Sequence, residues 1–132
     1  MGSDLPTAED VMITHEIIEE EQDLKYTGTM KAAPELKIRR DVFSDLDEHD
    51  DVAYRAAAML HGLISLHVFE DGNKRAAWMV TEDYLERNGI SPPEQTDLAV
   101  RVIKNTGRYS TGELAAWLVD GEIDHSKLPP KS

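Results

Sequence analysis

Apolar residues recur at three- and four-residue spacing along most of this chain, the period of helices that pack through one face. Thr7-Ala8-Glu9-Asp10 places an acidic residue three positions after a hydroxyl, a capping box that opens the first helix. Val11, Thr14, Ile17 and Ile18 are its expected inner face, and it ends near Asp23. Residues 24–34 break the period: Tyr26-Thr27-Gly28-Thr29 mixes strand and turn formers, and Pro34 closes the segment. An ordinary loop and a short β-hairpin flap fit that stretch equally. A short helix from Glu35 to Phe43 follows. Asp45-Leu46-Asp47-Glu48-His49-Asp50-Asp51 then concentrates acid where it complements a helix dipole. Val52 to Leu66 is almost entirely apolar, with stripes Val52-Ala56-Met59-Leu63-Leu66 and Ala53-Ala57-Leu60-Ile64, the pattern of a central helix.

A second core helix is expected from Asn73 to Arg87, with Ala77, Trp78, Val80, Tyr84 and Leu85 inward and Asn88-Gly89 as its stop. Ser91-Pro92-Pro93-Glu94 reads as a capping box with proline in the first turn, starting a helix that carries Leu98, Val102 and Ile103. Ser110-Thr111-Gly112-Glu113 caps the last helix, with Leu114, Trp117 and Leu118 inward. No alternating strand of convincing length interrupts the series. The fold class is all-α, a compact bundle of about six helices with at most one small hairpin. Residues 1–125 form a single domain and 126–132, with Pro129-Pro130, a flexible C-terminal tail.

Composition narrows the function. The chain has 132 residues, enough for one core, and no cysteine, so neither disulfides nor thiolate metal sites contribute. Acidic residues number 26 against 14 basic, a formal net charge of −12, which argues against nucleic-acid binding through the general surface field. The acid fits either ordinary solvated helix faces or adaptation to high salt. No apolar run approaches the roughly 20 residues of a membrane span. Met1-Gly2-Ser3-Asp4 lacks the basic and apolar regions of a signal peptide, so a cytoplasmic location is expected.

The chemistry concentrates in His67-Val68-Phe69-Glu70-Asp71-Gly72-Asn73-Lys74-Arg75, between the two core helices. His67 is a candidate general base, against the simpler role of a core histidine. Asp71 is a candidate magnesium ligand or a helix cap. Gly72 permits close approach of backbone to a ligand, and Asn73 orients the loop, donates to a ligand oxygen or caps the helix. Phe69 turns inward and pins the loop. Lys74 and Arg75 oppose the helix dipole, which is unfavourable unless an anion binds there. Base, metal ligand and cationic helix start together are what phosphoryl or nucleotidyl transfer requires. His15, His49 and His125 show no ligand spacing, and His61 reads as a packing or hydrogen-bonding residue. Arg39-Arg40 reads as a solvated pair.

This run resembles the Fic/Doc family signature H-x-F-x-[DE]-[GA]-N-[GK]-R, with every fixed position filled. Ile13-Thr14-His15-Glu16-Ile17-Ile18 and Tyr109-Ser110-Thr111-Gly112-Glu113-Leu114-Ala115-Ala116-Trp117-Leu118 also resemble the ends of Doc-type members. The resemblance implies that His67 deprotonates a target hydroxyl, Phe69 anchors the loop and Asp71 binds Mg2+. It implies that Gly72 and Asn73 form an anion-binding turn, and that Lys74 and Arg75 hold the phosphates of ATP. Tyr26 to Lys31 would be a flap that docks a target peptide by strand addition.

Within the family, AMP-transferring members carry glycine where this chain has Lys74, and a second arginine where it has Trp78. Doc-like (death-on-curing) toxins carry the lysine and lack the second arginine. They phosphorylate a translation elongation factor and are restrained by an antitoxin. The self-inhibitory motif [ST]-x-x-x-E-[GN] is not found; Ser44 to Glu48 approaches it, but His49 follows. The resemblance therefore implies a Doc-like kinase toxin with a protein substrate and an antitoxin partner. An AMP transferase and a catalytically silent helical interaction domain are the alternatives.

Overall fold

The computed structural model describes residues 5–21, 28–29 and 32–130. Six α-helices form the bundle: α1 (Ala8–Glu21), α2 (Pro34–Ile38), α3 (Val52–Leu66), α4 (Asn73–Arg87), α5 (Asp97–Lys104) and α6 (Thr111–Asp120). Among the described residues there is no sheet, only one antiparallel bridge between Thr29 and Phe69. None of the described helices is long and apolar enough to cross a membrane.

Helix α3 is the axis. It packs against α4 on one side and α6 on the other, while α1 lies across α4. Ala53, Ala56, Ala57, Met59, Leu60 and Leu63 are buried along it, so both apolar stripes are used. The alanines keep the neighbouring helices close, and Gly62 does the same for the turn after α2. A Cβ there would stand 3.2 Å from Val42 Cγ1. The expected helix from Glu35 to Phe43 is present as α2 continued by a π-helical turn, Arg39–Phe43. The acidic run after it is organised through its carbonyls. The buried Arg55 donates to the carbonyls of Leu46, Asp47 and His49, folding the turn Leu46–Glu48 back on α3. Asp51 then caps α3 by accepting the Ala53 N–H.

Two details differ from the sequence pattern. Helix α1 buries Ala8, Val11, His15 and Ile18, while Ile17, expected inside, is 40% exposed. The stripe is rotated by about one position, and a histidine occupies the core face. Helix α5 starts at Asp97 rather than at Pro92-Pro93. Thr96 is its cap, accepting the Ala99 N–H at 3.2 Å. A residue that precedes proline is pushed away from helical angles, so Pro92, before Pro93, is a poor first helical residue and the next hydroxyl takes over. The expected end of α1 near Asp23 lies outside the described residues.

The stretch 124–130, where the prolines suggest a loose end, lies against the bundle. The Tyr109 hydroxyl donates to the Asp124 carbonyl at 2.9 Å, and Arg101 Nη2 donates to the Pro129 carbonyl at 2.6 Å. Lys127 Nζ reaches Glu113 Oε2 at 2.7 Å, and Leu128 is buried.

Candidate active site

The loop between α3 and α4 is held by its own backbone and by one amide. Helix α3 ends at His67, whose φ of 51° and ψ of 59° put it in the left-handed region. That geometry usually belongs to glycine at a helix C-terminus. It turns the chain sharply and leaves the imidazole exposed, while Val68 and Phe69 dive back into the core. Phe69 is buried, 2% exposed. Asn73 braces the turn on both sides. Its Oδ1 accepts the Phe69 N–H at 3.1 Å, and its Nδ2 donates to the Phe69 carbonyl at 2.8 Å. The Asn73 side chain is thus committed to the loop, and its backbone N–H is the group that faces outward chemistry.

Gly72, not Asn73, is the residue flanking α4, with φ of 81°. No side chain caps this helix. The first hydrogen bond of the α4 ladder is Ala76 N–H to the Gly72 carbonyl at 2.9 Å. The N–H groups of Asn73, Lys74 and Arg75 donate to no described residue. Lys74 and Arg75 are exposed, and neither forms an ion pair among the described residues. Three free N–H donors, the positive end of a fifteen-residue helix and two unpaired cations converge on one spot of a strongly acidic chain. Open N–H donors and cations at a helix N-terminus are features that favour an anion by electrostatics and by hydrogen-bonding capacity together.

Asp71 stands directly before it. Its Oδ1 accepts the Gly72 N–H at 2.8 Å, and Oδ2 is engaged by no described residue. Among the described residues no cluster of three or more His, Asp or Glu gathers to hold a metal ion by itself. A carboxylate oxygen free of described partners beside a cationic helix start suits Mg2+, which is commonly held by one or two carboxylates plus substrate phosphates. Magnesium bound there would neutralise phosphate charge.

The sequence pattern missed His15. It is 3% exposed, stacks on Phe69 with ring centroids 3.6 Å apart and planes 3° from parallel, and places Nε2 2.6 Å from the Asp71 carbonyl oxygen. The available signal was its phase: His15 follows Val11 by four residues and precedes Ile18 by three. Of the expected flap, Gly28 and Thr29 are described and the rest of Tyr26 to Lys31 is not. Gly28 accepts the Glu70 N–H at 3.1 Å and donates to Glu19 Oε2 at 2.8 Å, so this segment pairs with the motif loop. A groove of about 280 Å³ runs beside that pairing, lined by Met12, His15, Glu16, Glu19, Gly28, Thr29 and Phe69. Its carboxylates, Glu16 and Glu19, make it a poor place for an anion.

The all-α bundle presents a histidine, a carboxylate and a cationic helix start on one interhelical loop, the inventory that nucleotide-dependent transfer requires. The chain belongs to the Fic/DOC family, whose model matches residues 7–85. The match spans α1 to α4 and contains every residue of the loop. No curated protein matches the chain.

Proposed function

We propose that this protein is a Doc-like kinase that transfers a phosphoryl group from ATP to a hydroxyl of a protein. The target class is a translation elongation factor, and an antitoxin restrains the enzyme. The observation that carries this reading is the bare start of α4, where unpaired Lys74 and Arg75 flank three free N–H donors. His67 takes the proton of the target hydroxyl. The hydroxyl oxygen bonds to the γ-phosphorus, the bond from that phosphorus to the β–γ bridging oxygen breaks, and ADP leaves. Asp71 holds Mg2+, while Lys74 and Arg75 bind the phosphates and stabilise charge on the transferred group.

Two features favour phosphoryl over AMP transfer. Lys74 fills the position where AMP-transferring members carry glycine to make room for phosphates. Trp78, at the place of their second arginine, is buried beside Trp117 with ring centroids 5.8 Å apart. The side chain at that position thus belongs to the core and adds no cation to the site.

Incubation with an elongation factor, ATP and Mg2+ followed by intact-mass measurement tests the proposal. A gain of one phosphate on the factor is expected, together with loss of transfer in His67→Ala of about 100-fold or more. A gain of one AMP would move the protein to the alternative activity. Transfer unchanged by His67→Ala would remove the histidine from the chemistry.

A further inference from the structure

His15 lies on α1, far from the loop in sequence, yet it is the residue from outside the loop that touches the backbone of the candidate metal ligand. A carbonyl oxygen only accepts, so the 2.6 Å contact to Asp71 requires that His15 Nε2 carry a proton and donate. The Asp71 carbonyl and the Gly72 N–H belong to one rigid planar peptide unit and point in opposite directions. Fixing the carbonyl therefore fixes the N–H. That N–H is the group that holds Asp71 Oδ1 at 2.8 Å and leaves Oδ2 turned to other partners. A continuous path runs from the His15 ring, through one peptide plane, to the orientation of the carboxylate. The stack of His15 on Phe69 keeps the ring in plane for this contact.

We propose that His15 is a positioning residue: by holding the Asp71–Gly72 peptide plane it aims the Asp71 carboxylate for a divalent cation. The inference rests on the reading of this loop as a Mg2+-dependent phosphate site. Groups that orient a metal ligand in this indirect way typically change metal affinity by roughly 10- to 100-fold when removed.

Two variants separate the hydrogen bond from packing. His15→Phe keeps a flat ring against Phe69 and removes the donor. His15→Gln loses the ring and keeps a donor at similar reach. Mn2+ binding to the chain in the presence of ADP, read by electron paramagnetic resonance, measures the site without turnover. His15→Phe is expected to weaken Mn2+ binding by roughly 10- to 100-fold, with ADP affinity in the absence of metal unchanged. His15→Gln is expected to bind Mn2+ close to the wild-type level. Equal Mn2+ affinity in His15→Phe and wild type would overturn the positioning role, as would a His15→Gln variant as weak as His15→Phe. If His15→Phe does not fold, heteronuclear NMR of the wild-type imidazole decides. A proton on Nε2 supports the proposal, and a bare Nε2 overturns it. Wild-type chain that bound no Mn2+ alongside ADP would overturn the functional reading as well, which distinguishes the two failures.

Discussion

At the start of α6, Ser110 Oγ accepts the Glu113 N–H at 3.1 Å and Glu113 Oε1 accepts the Ser110 N–H at 2.9 Å. At the start of α4 the cap is Gly72, no side chain accepts an N–H of the first helical turn, and the first-turn charges are Lys74 and Arg75. Helix α6 satisfies its own donors and places an acid where the dipole favours one. Helix α4 leaves its donors open and places cations where the dipole disfavours them. Four other helix starts, of α1, α3, α5 and α6, carry side-chain caps from Thr7, Asp51, Thr96 and Ser110. The chain therefore has the means to cap a long helix and does so elsewhere. The α4 terminus lacks such a cap, and the contrast is between a helix start arranged for stability and one that the proposed function assigns to binding.

Four measurements can break or sharpen that contrast. The largest effect is expected for Arg75→Ala. Losing a charge-assisted hydrogen bond worth about 1.5–3 kcal/mol should weaken ATP binding by roughly 10- to 100-fold in calorimetry. Lys127→Ala, which removes the ion-pair partner of Glu113 in the first turn of α6, should leave ATP binding as it is. Next, Ser110→Ala should cost about 1 kcal/mol in chemical denaturation and leave phosphoryl transfer intact. A loss of transfer beyond the loss of folded protein would tie the two helix starts together.

Third, Lys74→Glu should stabilise the fold by about 0.3–1 kcal/mol while phosphoryl transfer is lost. The measurement is best made near 0.15 M salt, where the screening length of about 8 Å damps the repulsion from the rest of the acidic surface. A destabilised Lys74→Glu would mean that the lysine supports the fold after all. The smallest effect concerns pH. The Lys127 ammonium, then the Ser110 backbone N–H, holds Glu113 below the usual glutamate range. A carboxyl depressed in the folded state adds stability above its unfolded pKa and loses it as pH falls through the folded value. The melting temperature of wild type should thus exceed that of Glu113→Gln at neutral pH, and the gap should close on acidification through the carboxylate range.

The loop from His67 to Arg75 was legible in sequence because its chemistry is contiguous and its neighbours are strongly periodic helices. The bundle was legible for the same reason: α4 and α6 bury the residues their stripes nominate, and α3 does so except for the half-buried Val52, Ile64 and Leu66. What escaped depends on contacts made at a distance. His15 meets Asp71 across 56 residues, and pattern alone counted it as polar on a stripe whose phase Ile17 and Ile18 had already pulled one position aside. The start of α5 was misplaced because Ser91-Pro92-Pro93-Glu94 satisfies a local rule that Thr96 satisfies with less backbone conflict. The contacts of 124–130 with Tyr109, Arg101 and Glu113 have no local signature at all.

The left-handed His67 has an evolutionary corollary. A helix C-terminus with φ of 51° is a glycine position, and a helix N-terminus is an acidic one. Any process that ranks substitutions by folding stability alone, in a design program or in a lineage released from its task, would drift towards glycine at 67 and towards Asp or Glu at 74. The loop would then keep its shape, its buried Phe69 and its Asn73 brace while losing the proposed base and a proposed phosphate-binding cation. A decayed relative of this chain should therefore be a more stable protein, recognisable by those two exchanges in an otherwise intact bundle.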